Sequence, residues 1–186
     1  MKIALATLIV AFSAFLVGTL YSSQQDSVNE IFPQPISSAF GITLGEHFNP
    51  DMVKKVLSKV QKTYKIKKGD ELQGTMLQII PFQPSDQFQQ YVINTNPEGI
   101  IYSIEGKYQN KEMTSAACKA IVKSMAEEIE SVHGKPRGKD SFGQWYSFRQ
   151  TSDYSKSLRL YAHRCRTGMY SIIYTDENIK RESNVL

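Results

Sequence analysis

Histidine and cysteine are both scarce in this chain of 186 residues, with three of the first and two of the second. Metal sites and acid–base catalysis lean on histidine, and His47, His133 and His163 are not spaced for any two to share a metal. Each reads first as a structural residue: His47 in a loop, His133 in the last turn of a helix where an imidazolium suits the dipole, His163 on a strand. No Gly-x-Ser-x-Gly nucleophile elbow occurs. A phosphate-binding loop is missing as well. The basic run Gly134-Lys135-Pro136-Arg137-Gly138-Lys139-Asp140-Ser141 leaves a predicted helix and enters a strand, the reverse of the order that turns backbone N–H groups toward phosphate. Glycosidase chemistry needs two carboxylates flanking a cleft; Asp70/Glu71 and Asp176/Glu177 are available, and both pairs read as turn residues. No catalytic residue, metal site or cofactor is therefore expected. The formal charge of +4 is too mild for a dedicated nucleic-acid binder.

Charge is absent from Ile3 to Leu20. Lys2 precedes this apolar run and Tyr21-Ser22-Ser23-Gln24-Gln25-Asp26 follows it, the pattern of a secretory signal over residues 1–22. Left uncleaved, residues 3–20 would nearly span a bilayer as an inner-membrane anchor, the one circumstance in which a membrane contact is expected. A lipoprotein would need a Cys directly after the run, and the first is Cys118. The expected location is periplasmic. Residues 23–38, with Pro33 and Pro35, read as a flexible tether. Residues 39–177 read as a single domain, and 178–186 as a polar tail.

Within 39–177 the pattern recurs with a period of about 65–70 residues. Asn49-Pro50-Asp51 supplies an N-cap, a first-turn proline and an acid, and Val53, Val56, Leu57, Val60 and Tyr64 follow at helical spacing. Lysines cover the other positions up to Gly69. Thr114 or Ser115 caps a second helix with Cys118, Ile121, Val122, Met125, Ile129 and Val132 on its apolar face, ended by Gly134 and Pro136. The runs Thr75–Ile80, Tyr91–Thr95 and Ile100–Gly106 answer to Trp145–Phe148, Leu158–Cys165 and Met169–Thr175. Pro97-Glu98-Gly99 and Arg166-Thr167-Gly168 mark hairpin turns. The expected fold class is α+β: two αβββ halves, 39–111 and 112–177, each with one helix on a three-stranded antiparallel sheet.

Cys118 and Cys165 suit an oxidising compartment. We expect a disulfide pinning the second helix to its sheet, the alternative being two buried free thiols. On Leu158–Cys165, strand alternation places Leu158, Leu160 and Ala162 on one face and Arg159, Tyr161, His163 and Cys165 on the other, with Arg164 opposite Arg159. If Cys165 reaches the helix, the leucine face needs cover from the other half or from a partner. The candidate site is basic: Arg149, Arg159, His163, Arg164 and Arg166, with Lys156, Arg137 and Lys139 nearby and Trp145, Tyr146, Tyr161 and Tyr170 beside them, a composition suited to an anionic partner or an interface.

The leader, the Phe40-Gly41-Ile42-Thr43-Leu44-Gly45 opening, the Tyr91–Ile104 hairpin, Gly106-Lys107-Tyr108, the helix closing at His133-Gly134-Lys135-Pro136, and Cys165 before a final strand resemble uncharacterised exported proteins of Gram-negative bacteria, over most of residues 40–176. The Gly-Ile-Thr-Leu-Gly start ahead of a helix is also similar, over some 25 residues, to small envelope lipoprotein modules of the outer-membrane assembly (BamE-like) type, although the lipidation Cys is absent. Such modules act as protein-binding scaffolds and inhibitors. The resemblance implies a non-catalytic module that binds another envelope or exported protein, as an immunity or inhibitor protein or an assembly accessory. The alternative is a binder of a small or polymeric anionic ligand held between two sheets; a hydrolase ranks behind both.

Overall fold

The computed structural model describes residues 34–67, 70–139, 145–149, 155–162 and 164–182. The leader, most of the expected tether and His163 lie outside them. Ten strands form among these residues: β1 Ser38–Ala39, β2 Ile42–Thr43, β3 Val53–Lys67, β4 Asp70–Pro81, β5 Gln90–Thr95, β6 Ile101–Gln109, β7 Gly138–Lys139, β8 Trp145–Arg149, β9 Lys156–Tyr161 and β10 Met169–Asp176. The helices are α1, Ser115–His133, and α2, Glu177–Glu182. Strands β1 and β2 pair with each other, and the other eight build one sheet in the order β3-β4-β5-β6-β10-β9-β8-β7. Every neighbouring pair in it is antiparallel.

The chain is thus α+β with one continuous sheet, and two αβββ modules are not what forms. The expected first helix is strand β3. The capping signals at Asn49-Pro50-Asp51 do act locally, with Asn49 Oδ1 accepting from the Asp51 N–H at 3.0 Å, but they start only a single 3₁₀ turn, Pro50–Met52. Beyond it, pairing with β4 slips between Val53 and Lys55 and again between Val56 and Ser58. Each slip inserts one residue, so the side chains opposite Pro81, Ile79 and Leu77 are Val53, Val56 and Lys59. A bulged strand has thereby acquired a spacing of three, which imitates a helix. The helical reading required Leu57 and Val60 to be buried, whereas they are 48% and 42% exposed. The lysines belong to the sheet's edge strand, where charge blocks further strand pairing.

The strands matched by the 65–70-residue offsets do occupy the two sides of the sheet. Meander β4-β5-β6 meets meander β10-β9-β8 along the β6–β10 seam, with Tyr108 opposite Tyr170 and Ile104 opposite Tyr174. The helix has no counterpart in the first half among the described residues.

One face of the sheet carries the core. Leu77, Ile79, Ile93, Ile104, Ile172, Leu158, Leu160 and Phe148 are buried on it. Helix α1 covers the β8–β9–β10 side through Cys118, Val122, Met125 and Ala126. Thr114 Oγ1 caps it by accepting from the Ala117 N–H at 3.2 Å, and Gly134 ends it with φ of 77°. The stretch 36–44 and Phe88 contribute to the same core. Phe40 and Gly41 form the β1–β2 turn with φ of 56° and 79°, the signs a two-residue hairpin demands. A phenylalanine rarely accepts positive φ. Here that conformation accompanies edge-on ring contacts with Phe88, Tyr91 and Tyr174. Gly106 lies beneath: a Cβ there would meet Phe40 Cζ and Phe88 Cγ at 2.9 Å.

Two boundaries move. The last residues assigned to the tether pack on the body, since Ile36 is buried, the Gln34 N–H donates to the Val132 carbonyl and His133 Nδ1 donates to Gln34 O at 2.7 Å. The start of the polar tail is helical: Asp176 Oδ1 accepts from the N–H groups of Asn178 and Ile179 and so starts α2.

The disulfide Cys118–Cys165 is present and fully buried. The strand-alternation argument drawn from Cys165 fails, because β9 ends at Tyr161 and Cys165 lies in a 3₁₀ turn, Cys165–Thr167. That turn brings the sulfur to the same side as Leu158 and Leu160, which α1 already covers.

Candidate functional site

Three hollows lie on the sheet's opposite face among the described residues, and alternation decides what lines them. In β8 the residues facing away from the core are Trp145, Ser147 and Arg149; in β9 they are Ser157, Arg159 and Tyr161. Register sets Trp145 directly across from Tyr161, Ser147 across from Arg159, and Arg149 across from Ser157. Gly138 of β7 stands opposite Ser147. The indole lies against this glycine, where a Cβ would come within 2.7 Å of the Trp145 ring. Small residues thus make a floor, two aromatic rings a wall, and three arginines surround it: Arg137, Arg149 and Arg159 line a recess of about 580 Å³ with Gly138, Trp145, Ser147 and Tyr161.

Two further hollows adjoin it. One, about 540 Å³, runs over β10, β6 and β5 and includes Lys62, Asn94, Tyr102, Lys107 and Lys180. The other, about 370 Å³, includes Arg164, Met169, Ser171 and Gln90. Tyr161 borders all three, and Arg159 borders the first two.

Arg159 is held in place. Its Nη2 donates to Glu177 Oε1 at 3.1 Å, and Ser157 Oγ donates to the same oxygen at 3.0 Å. Lys180 Nζ stands 3.9 Å from Glu177 Oε2. Arg149 is exposed and makes no ion pair among the described residues. In the neighbouring hollow Lys107 pairs with Glu105 at 3.0 Å. Among the described residues no acid lines the recess itself.

The five residues predicted as a site separate. Arg149 and Arg159 converge on the recess. Arg164 lines the adjoining hollow next to Tyr161, not on the opposite face, because the chain has left β9 before reaching it; its Nη1 approaches Met169 Sδ at 3.7 Å. Arg166 is exposed in the 3₁₀ turn and lines none of the three hollows, and His163 is outside the described residues. Sequence reasoning missed Glu177 as the partner of Arg159, Ser147 and Gly138 as floor, and Lys62 and Lys107 from the first half. Of these, the alternation Trp145-x-Ser147-x-Arg149 carried a signal for Ser147 alone.

Other candidates have structural places. Asp176 caps α2, and Glu177 binds Arg159 and Ser157. Among the described residues no group of three or more His, Cys, Asp or Glu side chains could hold a metal ion. No helix among them is long and apolar enough to cross a membrane. The raised tyrosines belong to the core: burial pushes Tyr174 and Tyr170 up to about 12, Tyr108 adding to the shift at Tyr170, whose hydroxyl donates to Gln87 O at 3.0 Å.

Compared with known proteins, the chain matches no family model, no curated sequence and no solved structure.

Proposed function

We propose that this is an exported, non-catalytic binding module that uses the sheet face opposite α1 to dock another protein of the cell envelope, in the manner of an inhibitor, an immunity protein or an assembly accessory. The observation that carries this reading is the convergence of Arg137, Arg149 and Arg159 with Trp145 and Tyr161 around one recess. Tryptophan, tyrosine and arginine are the side chains that concentrate binding energy at protein interfaces. The wet face of an antiparallel sheet ordinarily shows alternating small and charged residues; a tryptophan 36% exposed among arginines departs from that. A buried disulfide fits an oxidising compartment, which agrees with the leader and favours the periplasm.

A second reading is kept by the same recess: a small or polymeric anion could occupy it directly. Its position would be on the face opposite α1 and not between two sheets, since strands β3 to β10 make one sheet. Capture from a periplasmic extract with the full-length, natively exported protein as bait separates the readings. A stoichiometric protein partner supports docking. A thermal midpoint raised by acidic saccharides, with no protein recovered, favours the ligand reading and removes the first.

A further inference from the structure

We infer that the outer edge of β3 is a second docking surface, one that takes an extended acidic strand of a partner protein and adds it to the sheet. It lies at the other end of the eight strands from the recess and is independent of it. Strand β3 is the last on its side, and among the described residues no strand pairs with its outer edge. Such an edge presents a row of backbone N–H and C=O groups that another chain can bond. From Ser58 to Lys65 the pairing with β4 advances residue for residue, with no bulge. That run is longer than a typical strand of about five or six residues, so it is long enough to template another.

The side chains say what kind of strand. Strand β3 carries six lysines and no acid. Lys54, Lys55 and Lys59 are exposed and make no ion pair among the described residues. Register gives the last two no acid on β4 either, since they stand across from Ile80 and Leu77. Asp51 lies in the 3₁₀ turn before the strand, and Glu71 and Asp70 stand across from Lys65 and Lys67 at the far end of the hairpin. The edge between these ends is basic. A second copy laid along it would set lysines against lysines, and like charges facing each other across strands are destabilising. An acidic strand meets no such penalty, so the same residues exclude self-pairing and select the partner. Apolar area accompanies the charge. Leu57, Val60, Ile80 and Phe82 are 48%, 42%, 39% and 54% exposed, four of the six large hydrophobic side chains exposed among the described residues. Lysines alone protect an edge; they do not account for four exposed apolar groups around it. A strand alternating acidic and apolar side chains matches both. Backbone pairing then supplies affinity and the side chains specificity.

The test uses the full-length protein with its disulfide formed and a short fluorescent peptide alternating glutamate and valine. Anisotropy reads binding, and amide hydrogen exchange reads its place. The glutamate peptide is expected to bind the parent and to slow exchange within Ser58–Thr63. It should weaken about tenfold or more in the double variant K55E/K59E, where each attractive pair becomes a repulsive one. A peptide alternating lysine and valine should bind that double variant and not the parent. Both substitutions fall at exposed positions, and melting curves establish that the variant folds. R149Q, in the recess, should bind the glutamate peptide as the parent does. Equal binding of a peptide with glutamine for glutamate overturns the proposal without recourse to any variant, as does equal binding of polyphosphate, an anion that cannot add as a strand. Exchange slowed in β8 and β9 instead of β3 overturns it too, as does a parent that dimerises in sedimentation and refuses the peptide. The recess reading is scored by R149Q in the capture experiment and is untouched by these outcomes.

Discussion

Cutting the Cys118–Cys165 bridge should cost the fold about 4 kcal/mol. The bond spans 47 positions, and closing a loop of that length removes roughly 13–14 cal/mol/K from the unfolded chain, or about 4 kcal/mol near room temperature. It ties the first turns of α1 to the 3₁₀ turn after β9, so the native contacts around it, including Leu160 and Ala162, do not depend on the bond itself. Reduced parent protein is the cleanest comparison, because it keeps both sulfurs and changes only the cross-link. Urea titrations of oxidised and reduced protein should then differ by that amount, with a steeper denaturant slope in the reduced form, whose unfolded chain exposes more surface. In heating, the same loss corresponds to a fall of roughly 8–16 °C for a domain of this size. Both sulfurs are buried, so reductant should act only through opening of the structure. A difference below about 1 kcal/mol, or rapid reduction without denaturant, would refute the reasoning.

Four further tests address the fold and its charges. Leu57→Lys should change stability by less than about 0.5 kcal/mol, as for an exposed strand residue, while Leu77→Ala should cost about 2–5 kcal/mol; a large loss for the first would restore the helix. Gly106→Val should lose about 1–3 kcal/mol or more by driving Phe40 and Phe88 apart, and a thermal midpoint equal to the parent's would contradict the ring packing. Glu177→Ala should cost about 1 kcal/mol in a urea titration, through loss of the bonds to Ser157 and Arg159; no loss would make that contact incidental. Stability should hold up to about pH 10 and decline from there to about 12. Tyr170 and Tyr174 stay protonated when folded while unfolded tyrosines ionise, so the unfolded state binds fewer protons; a urea midpoint that is flat across this window would argue against their burial.

Local signals were legible where one period ran without interruption. Helix α1 has its cap, its apolar stripe and its glycine stop in the sequence; the cap and the stop hold in the structure, and the stripe is buried at Cys118, Val122 and Met125 while Val132 at its end is 43% exposed. The β5–β6 hairpin followed from Pro97-Glu98-Gly99 between two apolar runs, and the disulfide from compartment and placement. Errors arose where an irregularity added a residue. Two bulges in β3 turned a period of two into a spacing of three, and a cap that starts only a 3₁₀ turn supplied the false helix start. The same mechanism misplaced Arg164 and Cys165: parity was carried past Tyr161, where the strand stops.

These slips bear on the site because parity decides which side chains share a face. Arg149 and Arg159 lie inside uninterrupted strands, so counting by twos put each on a definite face, although only the β8–β9 register makes them neighbours. Arg164 and Arg166 lie beyond a strand end, where counting carries no information. Glu177 is harder still, since it reaches Arg159 only because α2 folds back from the end of β10, a return specified by Asp176 capping two N–H groups. The recess thus depends on elements at three removes: the glycine that lets Trp145 lie flat, the register that pairs it with Tyr161, and the cap that delivers Glu177. A substitution such as Gly138→Val, which changes no charge, should therefore weaken capture of the docked partner as much as removal of an arginine does, by lifting the indole out of the wall. If capture is weakened in R149Q and unchanged in Gly138→Val, charge alone defines the site and the aromatic wall has no part in it.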